Sequence, residues 1–504
     1  MKYFKIAILF IIFLFIIFQA QSLQAQNPST IRNSLVRIFV HKQELEIYEP
    51  WKQGRVFTEE HIGTVVEFNN KNEKGVLIKA SALNNVKRIE MELLTDSHLI
   101  EMSPVFIDRE VNLALLETVS SEALESLHPI TVYDNELPLE EEAHLFRIEN
   151  NRNIVRIPSS LRKVTFGERS DVSSYPIINY MFKFTRKELG WSEPILSKGR
   201  LVALSVGQDE EDNVHAIPSS LIQHFLNDNL NEGYHGFPNL GLEYSRLSSS
   251  YKREALGLEK IKNGVQITKI HKSSPFYTLL KKGDILMSIN GIDINYMGNI
   301  NHPLWGEISF EALLYKHYSG ENITLQILRD QKSQKLTGEL TRYYSNQTLI
   351  PYFSEKDPIP YIIVGGLVFQ ELTRTFLRSW GPNWLGDAPS YLTYLWKYKN
   401  NNTKDPKERV IILNQVLSDP INKGYESIGN AVVKSVNGNI IHSLEDLKLA
   451  LAKPIRKRSS EFQYITLDYG EGDIILPLTS LKEANSRIAS NYGIYSHAFF
   501  PTIP

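Results

Sequence analysis

The sequence contains no cysteine. This absence excludes disulfide bonds, thiol catalysis and cysteine-based metal sites. No His-x-x-x-His pair or other dense ligand cluster is present either, so we expect no metal and no cofactor. Basic residues form no stripe interleaved with aromatic side chains, and the formal net charge is −2. We therefore expect no binding of nucleic acid.

Long hydrophobic runs are also absent, except for one at the N-terminus. Ile6 to Phe18 is an unbroken apolar stretch of 13 residues, which is short for a membrane span. Lys2 and Lys5 precede it, and Leu23-Gln24-Ala25 offers a small residue at a cleavage point. We predict a signal peptide over residues 1–25, no other membrane segment, and export to a bacterial periplasm or cell surface. Retention of the segment as an anchor is the alternative.

The rest of the chain has the composition of a folded protein and is too long for one compact domain. Hydrophobic residues make up 42% of the 504 residues and charged residues 22%. Short alternating segments predict strands at Leu35–Val40, Gly63–Phe68 and Gly75–Ile78. Their spacing is typical of an antiparallel β-barrel. A polar stretch at 227–233 predicts a linker to the next domain.

One serine lies between a glycine-bearing turn and an apolar run. The turn is Gly190-Trp191-Ser192, and the run extends from Leu201 to Val206. Chymotrypsin-like double barrels present a nucleophilic serine in this way, because the glycine allows backbone N–H groups to face a developing oxyanion. The pattern predicts Ser192 as a nucleophile position and Gly190 as part of the oxyanion turn.

These segments resemble the HtrA/DegP family of trypsin-like serine proteases. The family's G-N-S-G-G-P motif corresponds to Gly190–Pro194. Its V-L-T-N-A-H-V-V motif corresponds to Val76–Leu83 and places Ser81 where the catalytic histidine stands. Its D-x-x-x-D-L-A-L-L motif corresponds to Asp108–Leu116 and places Asn112 where the catalytic aspartate stands. The resemblance implies a chymotrypsin-like double β-barrel with a degenerate catalytic triad.

These substitutions remove the groups that activate the serine. A hydroxyl at Ser81 does not accept the nucleophile's proton at neutral pH, and Asn112 does not stabilise an imidazolium. Glu193 follows the serine where the family has glycine, and its negative charge opposes a tetrahedral oxyanion. We therefore expect an inactive protease domain.

A displaced base remains an alternative. It would be either a histidine from another part of the domain or a lysine, because serine–lysine dyads are known. The histidines of this region are His41, His61, His98, His128, His144 and His215. The charged residues close to Ser192 in the sequence are Lys183, Lys187 and Glu188.

The segment after residue 236 resembles a PDZ domain of the HtrA kind. Phe237–Leu242 is similar to the carboxylate-binding loop, and Leu280–Gly291 is close to the family's L-K-x-G-D-V-I-x-x-x-N-G signature. The resemblance implies that a peptide adds as a strand beside this loop while N–H groups hold its terminal carboxylate. The residues predicted to bind it are Leu240, Gly241, Leu242 and Tyr244. A groove that is filled internally is the alternative.

The last third of the chain resembles the second PDZ domain of the plant-type Deg branch. The resemblance is carried by Tyr361–Thr373 and Val410–Tyr425, and it implies a carboxylate loop at Gly365 and Gly366. In that branch the second PDZ domain is associated more with assembly and internal contacts than with free substrate. Family members commonly form trimers and larger cages, so the resemblance implies a homo-oligomer. The aromatic stretch Leu385–Lys399 is interpreted as core or as an intersubunit face.

We therefore predict a mainly β fold with some α-helix, a chymotrypsin-like double β-barrel followed by two PDZ domains. The predicted division is a signal peptide at 1–25, a protease-like domain at 26–232, a first PDZ domain at 236–345, and a second PDZ-like domain with a C-terminal extension at 346–504. The predicted function is binding of unfolded or C-terminally exposed polypeptides as a pseudoprotease, in a chaperone or adaptor role in protein quality control. An active serine endopeptidase using Ser192 with a non-standard base, and a partner of an active homologous protease, are the alternatives.

Overall fold

The structure is a computed structural model of the chain. It describes residues 31–68, 73–119, 122–167, 176–228, 234–259, 261, 263–342, 347–352, 359–402, 405, 407–469 and 472–494. The predicted signal peptide at 1–25 lies outside these ranges. The chain forms two compact units. Unit 1 comprises Met1–Lys42 and Phe57–Tyr343, and unit 2 comprises Gln43–Val56 and Tyr344–Pro504.

The first part of unit 1 is a closed six-stranded barrel with the strand order β1-β2-β3-β6-β5-β4. On its first strand Val36, Ile38 and Val40 are fully buried while Arg37 and Phe39 between them are half-buried. This period of two is what a strand with one face on a core requires. The strands are β1 (Leu35–Leu45), β2 (Gln53–Phe68), β3 (Glu73–Lys79), β4 (Val86–Leu93), β5 (Leu99–Asp108) and β6 (Leu113–Thr118).

A second closed barrel follows, with the strand order β10-β11-β12-β9-β8-β7. Its core strand is β11, where Leu201 to Val206 are all buried, as the apolar run predicts. The strands are β7 (Glu142–Ile148), β8 (Ile154–Gly167), β9 (Ile177–Lys183), β10 (Pro194–Ser197), β11 (Arg200–Gln208) and β12 (Asn213–Pro218). The two barrels confirm the chymotrypsin-like double barrel predicted from the sequence.

The remainder of unit 1 is a sheet with the order β14-β15-β16-β20-β21, in which β17 pairs with β16. Two smaller pairs, β13 with β22 and β18 with β19, flank it. The strands are β13 (Pro238–Asn239), β14 (Leu242–Ser245), β15 (Val265–Ile270), β16 (Ile285–Ile289), β17 (Ile292–Asp293), β18 (Asn299–His302), β19 (Gly306–Ser309), β20 (Asn322–Arg329), β21 (Lys332–Glu339) and β22 (Thr341–Arg342). The helices of unit 1 are α1 (Glu122–Glu125), α2 (Ser219–Asn227) and α3 (Ser250–Ala255).

A short 3-10 helix at Phe310–Lys316, here the groove helix, lies after β19. Helix α2 of the second barrel contacts it, because a ring nitrogen of His224 lies 3.0 Å from the carbonyl oxygen of Tyr315. The His224 ring also stacks on Phe237, with ring centroids 4.2 Å apart. The sheet domain of unit 1 is therefore packed directly on the second barrel.

Unit 2 is built on a sheet with the order β23-β24-β25-β26-β29-β28, in which β27 pairs with β26 and β30 with β29. Its strands are β23 (Tyr361–Val364), β24 (Leu367–Glu371), β25 (Ile411–Val416), β26 (Ala431–Val436), β27 (Asn439–Ile440), β28 (Ile455–Lys457), β29 (Ser460–Leu467) and β30 (Asp473–Pro477). Its helices are α4 (Arg374–Arg378), α5 (Trp384–Asp387), α6 (Ser390–Tyr394), α7 (Leu444–Leu451) and α8 (Leu481–Asn491). In the described part of the chain, no helix is long and apolar enough to cross a membrane.

The aromatic stretch Leu385–Lys399 is divided between core and surface. Leu392 and Leu395 are buried in the core of unit 2. Tyr394 and Tyr398 lie on the outside and are 43% and 54% exposed. The core half of the prediction is therefore confirmed, and the role of the exposed tyrosines as an intersubunit face stays a prediction.

One segment of unit 2 comes from far away in the sequence. Gln43–Val56, the tip of the β1–β2 hairpin, packs in unit 2. The side-chain amide of Gln370 donates to the Ile47 carbonyl at 3.0 Å. The amide of Asn414 donates to the Tyr48 carbonyl at 3.1 Å. Both amide side chains are buried, so the hairpin carbonyls satisfy donors that burial would otherwise leave unpaired.

Candidate functional site

Ser192 lies in the turn before β10, as the sequence predicts, but it is completely buried. Its backbone φ of 68° and the φ of 100° at Gly190 make this turn tight. A Cβ atom at Gly190 would lie 2.5 Å from the Cα atom of Gly207, so only glycine fits there. The Ser192 hydroxyl oxygen accepts a hydrogen bond from the backbone N–H of Lys79 at 3.1 Å. The serine is thus held against the end of β3.

Ser81 and Asn112 meet at the same end of β3. Ser81 lies in a 3-10 turn at Ala80–Leu83, and its N–H donates to the side-chain oxygen of Asn112 at 2.7 Å. The N–H of Ala80 donates to the Asn112 carbonyl at 3.1 Å. The structure therefore brings the three triad positions to one junction. Asn112 orders the turn there, and neither it nor Ser81 is a base that could take a proton from Ser192.

Glu193 lies against the N–H groups of the serine turn. Its side chain is completely buried, and its Oε2 atom accepts hydrogen bonds from the N–H of Gly190 at 2.9 Å and of Trp191 at 2.7 Å. The Ser205 hydroxyl donates to the same oxygen. The guanidinium of Arg147 lies 3.5 Å from the other carboxylate oxygen and partly balances its charge. N–H groups at the oxyanion turn are therefore already bonded within the protein.

The lysine at this site is Lys79. Its ammonium donates to the carbonyl of Gly190 at 2.7 Å and to that of Val206 at 3.3 Å. Burial lowers the pKa of Lys79 to about 8, although the negative charge of Glu193 opposes this shift. Lys79 was missed in the sequence analysis, even though it lies two residues before Ser81 within the motif that was compared. A charged residue ending the apolar run Val76–Ile78 was the available signal.

One of the histidines considered as a base is close to the serine turn. His61 is buried beside Trp191, with ring centroids 5.4 Å apart, and its Nε2 lies 3.2 Å from Glu59. Burial lowers the pKa of His61 to about 4, so its ring is neutral at pH 7. Burial disfavours the charge of Glu59, yet hydrogen bonds from His61 and Lys42 outweigh it and lower the pKa of Glu59 to about 2.

The other histidines, lysines and the glutamate considered as alternatives are either exposed or in contact with other side chains. His98 and His128 are exposed, and so are Lys183, Lys187 and Glu188. The remaining three histidines have partners of their own: His41 contacts Glu90, His144 contacts Arg156, and His215 contacts Asn179 and Asp209. Within the described ranges, no group of three or more acidic or histidine side chains is placed to hold a metal ion.

The first predicted peptide groove runs along β14. This strand is the last in its sheet, and in the described part of unit 1 it pairs only with β15. Its outer edge therefore presents unpaired backbone groups, as strand addition requires. Leu242 and Tyr244 lie on it, and the Tyr244 ring packs on Phe310 of the groove helix with centroids 5.0 Å apart.

The loop before β14 turns at Gly241, whose N–H donates a hydrogen bond to the side-chain oxygen of Asn239. Gly241 has a φ of 62°, and a Cβ there would lie 2.9 Å from the Cα of Ser274. The Gly241 carbonyl accepts the N–H of His271 at 2.8 Å, and the Leu240 carbonyl accepts the Ser274 hydroxyl at 2.5 Å. These bonds hold the loop against His271 and Ser274, which follow β15 in the chain.

Gly365 and Gly366 form the turn between β23 and β24. The N–H of Gly365 donates to the side-chain oxygen of Asn485 at 2.7 Å. Strand β24 has β23 on one edge and β25 on the other, with Ile362 opposite Phe369 and Phe369 opposite Leu413. Strand β24 therefore has no free edge for an added peptide, and among the described residues β23 is the end strand of this sheet.

Two PDZ-domain family models match the chain, over residues 240–340 and 350–498. The described fold and these matches define a double-barrel protease scaffold followed by two PDZ domains. The mitochondrial Do-like 3 protein of Arabidopsis thaliana is 23% identical over 447 residues, which cover 87% of this chain and 76% of that protein. The chloroplastic protease Do-like 2 of the same plant is 22% identical and covers 92% of this chain and 74% of its own length.

Among solved structures, the HtrA-type protease AlgW with a decapeptide aligns with a TM-score of 0.46 and 13% identity. That alignment covers 64% of this chain and 99% of AlgW. On the sequence relatives and the two PDZ-domain matches, the chain is a homologue of the HtrA/Deg proteases and matches their plant-type Deg branch.

Proposed function

We propose that this chain is a non-hydrolytic HtrA/Deg homologue that binds unfolded or C-terminally exposed polypeptides. It would act as a chaperone or adaptor in protein quality control, after export by its N-terminal segment and as a homo-oligomer. Its first PDZ domain would do the binding, through the edge of β14 and the loop at Leu240–Leu242.

The observation that carries the proposal is the position of Glu193. Backbone N–H groups stabilise a tetrahedral oxyanion only when they are free to point at it. Here the N–H groups of Gly190 and Trp191 donate to the Glu193 carboxylate, whose negative charge would also repel the oxyanion. With Ser81 at the base position, the turn lacks both the base and the oxyanion site.

An active serine endopeptidase is the second candidate, and Lys79 is the observation that favours it. A half-buried lysine with its pKa lowered to about 8 is partly neutral near pH 8 and could take the proton of Ser192. For this to happen the amine would have to leave the carbonyls of Gly190 and Val206, and Glu193 would have to vacate the turn. Peptide-induced rearrangement would be needed for both steps.

Degradation of an unfolded model protein by the purified mature chain, beside a Ser192→Ala variant, tests the choice. We expect no cleavage by either protein and a client that stays soluble. A fluorophosphonate probe should leave Ser192 unlabelled under conditions that label an active homologue.

Cleavage that is lost in Ser192→Ala would overturn the proposal and establish a protease, and a Lys79→Met variant would then identify the base. A third outcome separates the remaining alternative. If the chain alone keeps no client soluble but does so together with an active homologous protease, it is a partner subunit of that protease.

A further inference from the structure

The groove of the first PDZ domain holds an acidic side chain, Glu311, that makes no ion pair in the described structure. We propose that Glu311 makes this groove select peptides with a lysine or arginine two residues before the C-terminal residue. The inference rests on the function proposed for this groove.

The register of the groove follows from strand geometry. Along β14, Leu242 and Tyr244 share one face, while Glu243 between them lies on the other and contacts Lys269 at 2.9 Å and His271 at 3.2 Å. A peptide added antiparallel, with its carboxylate at the Gly241 loop, begins opposite Leu242. Its alternate side chains face the groove, so the residue two before the last lies opposite Tyr244.

Glu311 lies at the level of Tyr244. It belongs to the first turn of the groove helix and follows Phe310, whose ring packs on Tyr244. The Ser309 hydroxyl donates a hydrogen bond to the Glu311 carboxylate at 3.4 Å, and the Tyr244 hydroxyl favours the charged form of Glu311. These contacts hold the carboxylate beside the path of the third-last peptide side chain.

The surroundings of Glu311 favour binding of a cationic peptide side chain beside its carboxylate. Burial raises the pKa of Glu311, and its partners Ser309 and Tyr244 are neutral hydroxyls that offset this only in part. The neighbouring acidic residue Glu243 already pairs with Lys269. The positive charge of Arg246 acts to lower the pKa of Tyr244, but Arg246 makes no ion pair with Glu311 in the described ranges. A peptide ammonium or guanidinium would therefore supply the countercharge that the protein does not.

Three peptides with the same hydrophobic C-terminal residue test the inference on the full mature chain. They carry lysine, norleucine or glutamate two residues before the end, and binding is measured by fluorescence anisotropy. We expect the lysine peptide to bind about tenfold more tightly than the norleucine peptide, and the glutamate peptide to bind most weakly. In Glu311→Gln the lysine preference should fall to within about twofold.

Glu339→Gln is the matched control, because it removes the same charge from the exposed strand β21 of the same domain. It should leave the lysine preference unchanged. Equal affinities of the wild-type chain for the lysine and norleucine peptides would overturn the inference, and this comparison does not depend on the folding of any variant. A preference that persists in Glu311→Gln would overturn it too. If none of the peptides binds, the function proposed for the groove is itself wrong.

Discussion

In each PDZ domain a strand follows the glycine loop, and the two strands differ in whether both of their edges are paired. In the first domain β14 has one neighbour and an open edge, whereas in the second β24 has neighbours on both edges. The additional neighbour, β23, is four residues of the same chain joined through Gly365 and Gly366. An intramolecular strand forms without the translational entropy loss that a free peptide incurs on binding. The first domain thus has an open strand edge among its described residues, whereas in the second the equivalent edge of β24 is paired with β23 of the same chain.

Adding a side chain at the glycine turns of the two domains should have different effects. The larger effect on stability is expected at Gly366 in the second domain. A Cβ at Gly366 would lie 2.3 Å from the backbone oxygen of Leu417, with a φ of 85°. We expect Gly366→Ala to reduce the free energy of opening of unit 2 by about 3 kcal/mol. Hydrogen exchange of the β24 and β25 amides measures this quantity for unit 2 alone.

Gly438→Ala is the control, because Gly438 has a similar φ of 81° but open space around it. It isolates the backbone strain and should cost about 1 kcal/mol. Equal effects of the two substitutions would show that the tight packing of the β23–β24 turn contributes nothing.

In the first domain the equivalent change should affect binding more than folding. Gly241→Val pushes the loop away from Ser274 and disturbs the N–H groups that would hold a carboxylate. We expect at least a tenfold loss of affinity for peptides with hydrophobic C-termini. Gly291→Val, at a turn with open space, serves as the control and should bind normally. Unchanged affinity in Gly241→Val would contradict strand addition at this groove.

Peptide binding should also protect the two strands to different extents. At a concentration of about 100 times the Kd, a bound peptide should slow exchange of the β14 amides by up to roughly a hundredfold. The β24 amides should change by less than about twofold, since their edge is occupied by β23. Equal protection in both strands would mean that peptide displaces β23 and that the two domains are equivalent.

Local signals in the sequence, together with the family resemblance, were enough to predict the double barrel, and peptide binding at the first groove stays a prediction. The apolar run at Leu201–Val206 specifies a buried strand on its own, and a glycine with positive φ explains the loop at Gly241. The positions of Ser81 and Asn112 at one junction with Ser192 also followed from short motifs.

Other parts of the site depend on contacts that no local pattern contains. Lys79 meets Gly190 only because β3 and the serine turn come together from 111 residues apart. Gly365 and Gly366 were predicted to form a carboxylate loop, and the structure places them in the hairpin turn between β23 and β24. A Gly-Gly pair between two apolar segments is also a hairpin signal, and that alternative was overlooked.

The hairpin tip at Gln43–Val56 has a consequence for biosynthesis. Its carbonyl at Ile47 is made 323 residues before the amide of Gln370 that it accepts. At about 5–20 residues per second, the ribosome needs roughly 15–65 s to supply that partner. Until then the first barrel carries a loop whose aromatic side chains have no surface to cover them. The last unit to be synthesised must therefore fold around a segment that emerged among the first, so a chain that stops early leaves that segment open to proteases.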